Sequence, residues 1–167
     1  MEVTLDQIKD LRERTGAGVM DCKRALEVAE GDVDKAVKVL AEQGIASAAK
    51  RADRVTAQGV VDSYIHAGGR IGAIVEVNCE TDFVARTEDF QRLAHELAMQ
   101  VAATAPLVIN EEELTEGADG DPKQLALMLQ PYIRDPSRSI KDLVTEVIGK
   151  TGENIQIRRF SRFELGR

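Results

Sequence analysis

The hydrophobic pattern of this chain changes its period near Gln58. Upstream of this point, apolar residues recur every three or four positions, which is the spacing of one helix face. Downstream, Val61, Ser63 and Ile65 share one face of an alternating pattern, which is the spacing of a half-buried strand. The chain must therefore combine a helical N-terminal part with a part built on a β-sheet.

Residues 1–45 are predicted to form three short helices. Thr4 is a favourable N-cap, and Gln7 three residues later completes a capping box. A glycine marks the predicted end of each helix in turn: Gly16, Gly31 and Gly44. Three helices in so short a segment make a small bundle with a thin core, which suits docking on a partner better than forming a catalytic cleft.

A linker is predicted over residues 46–57, where small and basic residues interrupt the apolar pattern. Residues 58–167 are predicted to form the second unit, an α+β core. This unit opens with a β-hairpin whose turn lies at residues 66–70. A last strand, from Glu153 to Leu165, is expected to pair with that hairpin.

Three further helices are predicted to begin between the hairpin and the last strand. Thr87 is the N-cap of the first helix, Pro122 opens the second, and Ser139 begins the third, which is predicted to end at Gly149. The acidic residues 110–121 are expected to form a solvated loop. The predicted fold class is therefore α+β: an N-terminal three-helix bundle, then a three-stranded antiparallel sheet with helices packed on one face.

The charge and hydropathy of the chain exclude several classes of protein. A formal net charge of −7 argues against a general nucleic-acid binder, which needs a basic face. Arg158, Arg159 and Arg162 alternate between the faces of the predicted strand, which is typical of a solvated surface. No apolar run approaches the length of a transmembrane helix, and the N-terminal stretch MEVTLDQIKD lacks signal-peptide regions. We expect a cytoplasmic protein with no nucleic-acid or membrane partner.

The residue types that serve catalysis and metal binding are scarce. His66 and His95 are the histidines of the chain, and Cys22 and Cys79 do not form a CxxC pair. Two thiols in such a chain are expected to be small buried hydrophobic residues. No phosphate-binding glycine loop is present in the sequence. We therefore expect no metal, no cofactor and no enzymatic activity, although a small enzyme using Cys79 or His66 remains an alternative.

Two short stretches place apolar side chains among glycines or charges. In the first, Val19 and Met20 follow Gly16 and Gly18; they either fill the core of the bundle or form an adaptable contact surface. The second is NCETDFVAR, where Phe83 stands between acids and an arginine. Phe83 either folds back under the sheet or protrudes as a wedge that inserts into a partner.

These same stretches resemble the elongation factor Ts family. The matching segments are LRERTGAGVMDCKRAL near the start, GVVDSYIHAGGRIGAIVEVNCETDFVAR in the middle and GKTGENIQIRRF near the end. They cover both predicted units in the order that the family has. The resemblance implies a guanine-nucleotide exchange factor that binds elongation factor Tu, in its GDP-bound and nucleotide-free forms, during translation elongation.

The resemblance also implies roles for individual residues. The N-terminal bundle resembles the UBA-like domain of the family, which docks on the GTPase domain of elongation factor Tu. The positions that match the family's partner contacts are Arg12, Val19, Met20 and His66. The segment implied to dislodge Mg²⁺ from the partner comprises Thr81, Asp82, Phe83 and Val84. In this picture Phe83 inserts between partner side chains and Asp82 fixes the approach.

The chain is shorter than the longest members of the family. Those members carry two related core halves and a coiled-coil insertion, whereas this chain has one core half and only the acidic loop. A single half leaves a sheet edge and an apolar surface to be covered, so we expect a homodimer. An adaptor whose bundle docks on another partner without exchange activity is the main alternative, and it has no need of the TDFV segment.

Overall fold

The computed structural model describes residues 3–167. Three helices open the chain, as the hydrophobic pattern predicts: α1 Leu5–Thr15, α2 Val19–Val28 and α3 Val33–Arg51. The predicted capping box of α1 is confirmed, because Thr4 and Gln7 each accept a hydrogen bond from the backbone N–H of the other. The helices enclose a small apolar core of their own: Leu11, Cys22, Ala25, Leu26, Ala29 and Ala36.

The second unit contains a three-stranded antiparallel sheet in the order β1–β2–β5. The strands of the chain are β1 Gln58–Ile65, β2 Ile71–Cys79, β3 Pro131–Tyr132, β4 Asp135–Ser139 and β5 Ile155–Glu164. The predicted hairpin is confirmed as β1 and β2, and the predicted last strand is β5, which pairs with β2. The central strand β2 therefore carries the most buried residues of the sheet.

Helices cover one face of this sheet, which confirms the α+β class. They are α4 Asp82–Ala85, α5 Glu88–Thr104 and α7 Ile140–Thr151, and a further short helix, α6 Pro122–Leu125, lies in the connection between α5 and α7. The predicted apolar stripes of α5 and α7 face inward and pack with β2 into the main core. Its largest contributions from the two helices are Phe90, Leu93, Leu97, Val101, Ile140, Leu143, Val144, Val147 and Ile148. No helix within residues 3–167 is long and apolar enough to cross a bilayer.

The predicted end of the third helix at Gly44 is wrong. Helix α3 continues through this residue to Arg51 and packs along α7. A Cβ added at Gly44 would lie 3.7 Å from Thr145 Cγ2, so the glycine sits near the helix crossing. A glycine inside a helix loses only about 1 kcal/mol relative to alanine, and packing on a neighbouring helix outweighs that loss. The boundaries of the bundle, linker and core remain predictions.

The predicted end of α7 at Gly149 is also wrong. The helix passes through Gly149 and ends at Gly152, whose φ of 71° is left-handed. The backbone N–H of Gly152 bonds to the carbonyl of Ile148, which closes the last turn. Two glycines lie three residues apart here, and only the one that adopts the left-handed conformation stops the helix.

The hairpin β3–β4 was not predicted from the sequence, and a buried glutamine fastens it to α5. The Gln100 side chain is fully buried; its Nε2 donates to Gln130 Oε1 and to the carbonyl of Pro131, both at 3.1 Å. Its Oε1 accepts the backbone N–H of Ile133 at 3.0 Å. Polar pairing rather than apolar alternation therefore defines this hairpin, which explains why a hydrophobic pattern did not reveal it.

Replacing this glutamine should destabilise the protein. Gln100→Leu keeps most of the volume but removes three hydrogen bonds, those to Gln130, Pro131 and Ile133. Gln130 Oε1 keeps its bond from the Thr104 hydroxyl, whereas the two backbone groups lose this partner, so we expect a loss of about 2–3 kcal/mol in the free energy of unfolding. Urea unfolding followed by circular dichroism measures this loss. Gln91→Leu, on the exposed side of the same helix, is the matched control and should change stability by less than about 0.5 kcal/mol. Equal losses in the two variants would contradict the role given to Gln100.

Candidate functional site

Phe83 protrudes from the surface just beyond the end of β2. Thr81 is the N-cap of the single helical turn α4, and Phe83 is the second residue of that turn. The Phe83 side chain is 77% exposed, whereas Val84 beside it is buried in the main core. The alternative in which Phe83 folds back under the sheet is therefore wrong. Val84 anchors the turn from the inside, and Phe83 is left free for an external contact.

A carboxylate from near the C-terminus holds this turn in place. Glu153 lies between α7 and β5, and its Oε2 accepts the backbone N–H groups of Glu80 and Thr81, each at 3.0 Å. Its Oε1 accepts the Thr81 hydroxyl proton at 2.6 Å. Reasoning from sequence did not single out Glu153 as a site residue. The signal available for it was its place in the quoted C-terminal segment GKTGENIQIRRF.

The charges beside Phe83 form an exposed ion pair. Asp82 Oδ2 lies 3.1 Å from a terminal nitrogen of Arg86, one helical turn away. Both side chains are well exposed, so the pair contributes at most about 0.5 kcal/mol and can exchange its partners at little cost. Together with Thr87, these residues and Phe83 line a shallow depression. The arrangement is that of a contact surface: one large apolar side chain bordered by charges of both signs.

The second predicted surface lies where α2 begins. Gly16 ends α1 in the left-handed conformation, with φ at 68°, and Gly18 is the N-cap of α2. Val19 is 49% exposed and Met20 is 62% exposed, so neither side chain fills the bundle core. Arg12, in the last turn of α1, is also exposed. The corner therefore presents two apolar side chains and a cation to the outside.

His66 lies far from Phe83. It is exposed at the start of the β1–β2 turn, and its Nδ1 is 3.0 Å from Tyr64 Oη. The strand β2 separates this turn from α4, and the eight steps between its nine residues, at about 3.3 Å each, span about 26 Å. The structure thus does not bring His66 together with the Thr81–Val84 turn.

The two thiols are buried, as the sequence predicts. The Cys79 Sγ donates to the carbonyl of Thr81, and the Cys22 Sγ to that of Ala17. Burial raises the pKa of both thiols, and the nearby charge of Glu153 raises the pKa of Cys79 further. A raised pKa keeps a thiol protonated and unreactive, which argues against the alternative of a cysteine nucleophile. Within residues 3–167, no three His, Cys, Asp or Glu side chains converge as metal ligands would.

Comparison with known proteins identifies the family of this chain. The family model described as Elongation factor TS matches residues 20–119 and 80–167 of this chain. Two relatives, each named Elongation factor Ts, are 46% identical over 194 residues in Carboxydothermus hydrogenoformans and over 196 residues in Herpetosiphon aurantiacus. These alignments cover 98% and 99% of this chain, and 89% and 99% of the relatives.

A third relative of the same name, from Thermoanaerobacter pseudethanolicus, is 46% identical over 98% of this chain and 95% of its own length. The similarity therefore extends over both the helical bundle and the sheet, including the turn that carries Phe83. A match of this extent and identity confirms the resemblance that the motifs indicated. The chain belongs to the elongation factor Ts family.

Proposed function

We propose that the chain is the guanine-nucleotide exchange factor for elongation factor Tu in translation elongation. Family membership supports this role, and the exposed Phe83 is the observation that carries the mechanism. The chain binds the GDP complex of its partner, and the Thr81–Val84 turn dislodges Mg²⁺ from the nucleotide site. GDP then leaves, and GTP can bind. The chain itself carries out no covalent chemistry and uses no cofactor.

The energetics of such an exchange need no contact with the nucleotide. In a GTPase, Mg²⁺ bridges phosphate oxygens and holds the switch segments. The chain only has to bind more tightly to a partner whose metal site is deformed, because coupling between two ligands is reciprocal. Burying one aromatic side chain is worth about 1.5–3 kcal/mol, which corresponds to roughly tenfold to hundredfold in affinity. Phe83 is therefore large enough to contribute substantially, and the rest of the interface must add to it.

The bundle provides the second contact in this proposal. We place Arg12, Val19 and Met20 against the GTPase domain of the partner, in the manner of a UBA-like domain, and His66 towards a more distal part of the partner. The exposure of all four side chains supports this assignment. The setting is the cytoplasm, and neither nucleic acid nor a membrane takes part in the contact.

Release of a fluorescent GDP analogue from elongation factor Tu tests the proposed function. Pre-loaded partner is mixed with excess unlabelled GDP, with and without the chain, and the decay of fluorescence is followed. We expect the chain to accelerate release, and raising free Mg²⁺ should oppose that acceleration because the metal and the chain bind antagonistically. Binding without any acceleration would reject exchange and favour the adaptor alternative.

We also propose that the chain forms a homodimer through the outer face of its sheet. Helices cover only one face, and the other face bears four exposed apolar side chains: Val61, Ile65, Ile74 and Phe163. The strand register places all four on that face, with Ile65 and Phe163 both flanking Gly72 of the central strand. Sheets readily pack face to face, and a second copy of the chain would bury this apolar strip.

Disrupting the strip should produce monomers. Phe163 is 74% exposed, so Phe163→Asp removes no buried contact within the chain. In the dimer it would bury a charge, so we expect the free energy of association to weaken by at least about 3 kcal/mol. Sedimentation equilibrium measures the change. Leu107→Asp, on an exposed connection away from the sheet, is the matched control and should remain dimeric. A wild-type chain that is monomeric at micromolar concentration would refute the dimer.

A further inference from the structure

The short turn that carries Phe83 has little means of holding its own shape. Helix α4 contains four residues, which is too few for a stable isolated helix. Its N-cap bond runs from the backbone N–H of Val84 to the Thr81 hydroxyl, at 3.3 Å. That hydroxyl donates its own proton to Glu153 Oε1, so the direction of its lone pairs is set by Glu153. The geometry of the turn therefore depends on a residue that is distant in sequence.

The segment before the turn is held by the same carboxylate and by a reciprocal bond. Both oxygens of Glu153 are engaged, since Oε2 accepts two consecutive backbone N–H groups, those of Glu80 and Thr81. In return, the Glu80 carboxylate accepts the backbone N–H of Asn154 at 2.7 Å. Two adjacent residues just after β2 and two adjacent residues just before β5 thus exchange carboxylate-to-backbone bonds. Such charge-assisted bonds are about twice as strong as neutral ones.

Asn154, the residue next to Glu153, is bonded to the segment that follows α3. The Asn154 side chain is buried, and its Nδ2 donates to the carbonyls of Ala52 and Arg54, at 3.2 and 2.9 Å. These carbonyls lie just after the end of α3, the helix that comes from the bundle. The Glu153–Asn154 pair is therefore a junction between the bundle, the sheet and the turn that carries Phe83.

We propose that Glu153 is a positioning residue for nucleotide exchange, which acts by holding the Thr81–Val84 turn so that Phe83 protrudes in the orientation that the partner requires. This inference rests on the proposed function. Glu153 does not touch the partner; it acts through the backbone of Glu80 and Thr81 and through the Thr81 hydroxyl. A preorganised Phe83 inserts without the loss of conformational freedom that a mobile turn would suffer on binding.

The test substitutes Glu153→Gln, which keeps the shape of the side chain but removes its charge and one of its two acceptor oxygens. In the free protein, amide hydrogen exchange at Glu80 and Thr81 should become faster, while the thermal unfolding midpoint falls by no more than about 2–4 °C. The acceleration of GDP release should fall about tenfold, which corresponds to the weakening of one charge-assisted bond. Glu112→Gln, at an exposed acid on the acidic loop, is the matched control and should behave as wild type.

A double-mutant cycle separates positioning from a general effect on folding. If Glu153 acts through Phe83, then adding Glu153→Gln to Phe83→Ala should cause only a small further decrease in the rate of GDP release. The proposal would be overturned if Glu153→Gln lowered the rate of GDP release by the same factor in both backgrounds, or if the rate stayed unchanged despite faster amide exchange. Either result would leave the exchange function intact. A wild-type chain that does not accelerate GDP release would instead reject the proposed function, and the positioning role with it. If Glu153→Gln fails to fold, Thr81→Val, which removes both the bond to Glu153 and the N-cap bond from Val84, enters the same cycle, and it too should reduce the rate little in the Phe83→Ala background.

Discussion

Phe83→Ala should slow the chain-stimulated release of GDP from elongation factor Tu by roughly tenfold to a hundredfold. The side chain is largely exposed in the free protein, so its removal should leave the fold intact and act only on the complex. The loss should appear in the release rate at saturating chain more than in the concentration needed for half-saturation, because Phe83 is proposed to favour the deformed state of the partner. Stopped-flow fluorescence of a GDP analogue separates these two parameters.

The control for this result is another exposed apolar residue. Leu107→Ala shortens a side chain that is 66% exposed on a different part of the α+β unit, and its backbone bond to Leu125 is unaffected by the substitution. This variant should match wild type in both parameters. If Phe83→Ala also matches wild type, the turn is not the wedge, and the bundle and sheet must carry the exchange between them.

Met20→Asp should weaken binding to elongation factor Tu by about a hundredfold or more, since in the proposed complex it replaces an apolar contact with a charge that the interface must desolvate. Met20 is the second residue of α2, where an acidic side chain is compatible with the helix dipole, so the bundle should remain folded. Isothermal titration calorimetry with nucleotide-free partner measures the affinity. In the release assay, the same variant should require a higher concentration for half-saturation.

Leu5→Asp provides a control of the same kind in the same bundle. Leu5 is exposed and is the first residue of α1, so an acid there is equally compatible with its helix. At about 1.5 Å per residue, α1 places it roughly 15 Å from the corner that contains Met20. Unchanged affinity in Leu5→Asp and in Met20→Asp alike would contradict the docking surface assigned to the corner.

The sequence predicted those parts of the fold that depend on a regular apolar pattern or on a cap. The stripe of α5, the hairpin β1–β2 and the capping box at Thr4 are all confirmed. Gly44 and Gly149 misled the prediction because a glycine signals a helix end only if the backbone becomes left-handed there. Packing of α3 on α7 keeps the first helical, and Gly152 ends α7 one turn later than expected.

For the candidate site, the exposed apolar residues could be predicted from the sequence, but the residue that holds the Thr81–Val84 turn in place could not. An apolar side chain among charges or glycines is unusual, and this pattern indicated Phe83, Val19 and Met20 as candidates. Their exposure could not be decided by pattern, since each position also fitted a core role. Glu153 escaped notice because its bonds to Glu80 and Thr81 join positions more than seventy residues apart, and nothing in the local sequence of either segment encodes them.

Helix α3 is continuous to Arg51, and Asn154 is hydrogen-bonded to the segment just after it. This connection has a consequence for how the chain binds. A flexible tether would let the bundle and Phe83 engage the partner as two loosely linked ligands, whose mutual effective concentration is limited by the tether. In the proposed complex, a continuous helix fixed at its end holds the two contacts at one spacing, so overall tumbling is lost only once for both of them. Such a ligand is selective for geometry: it binds tightly only to a partner whose two sites lie at the matching separation.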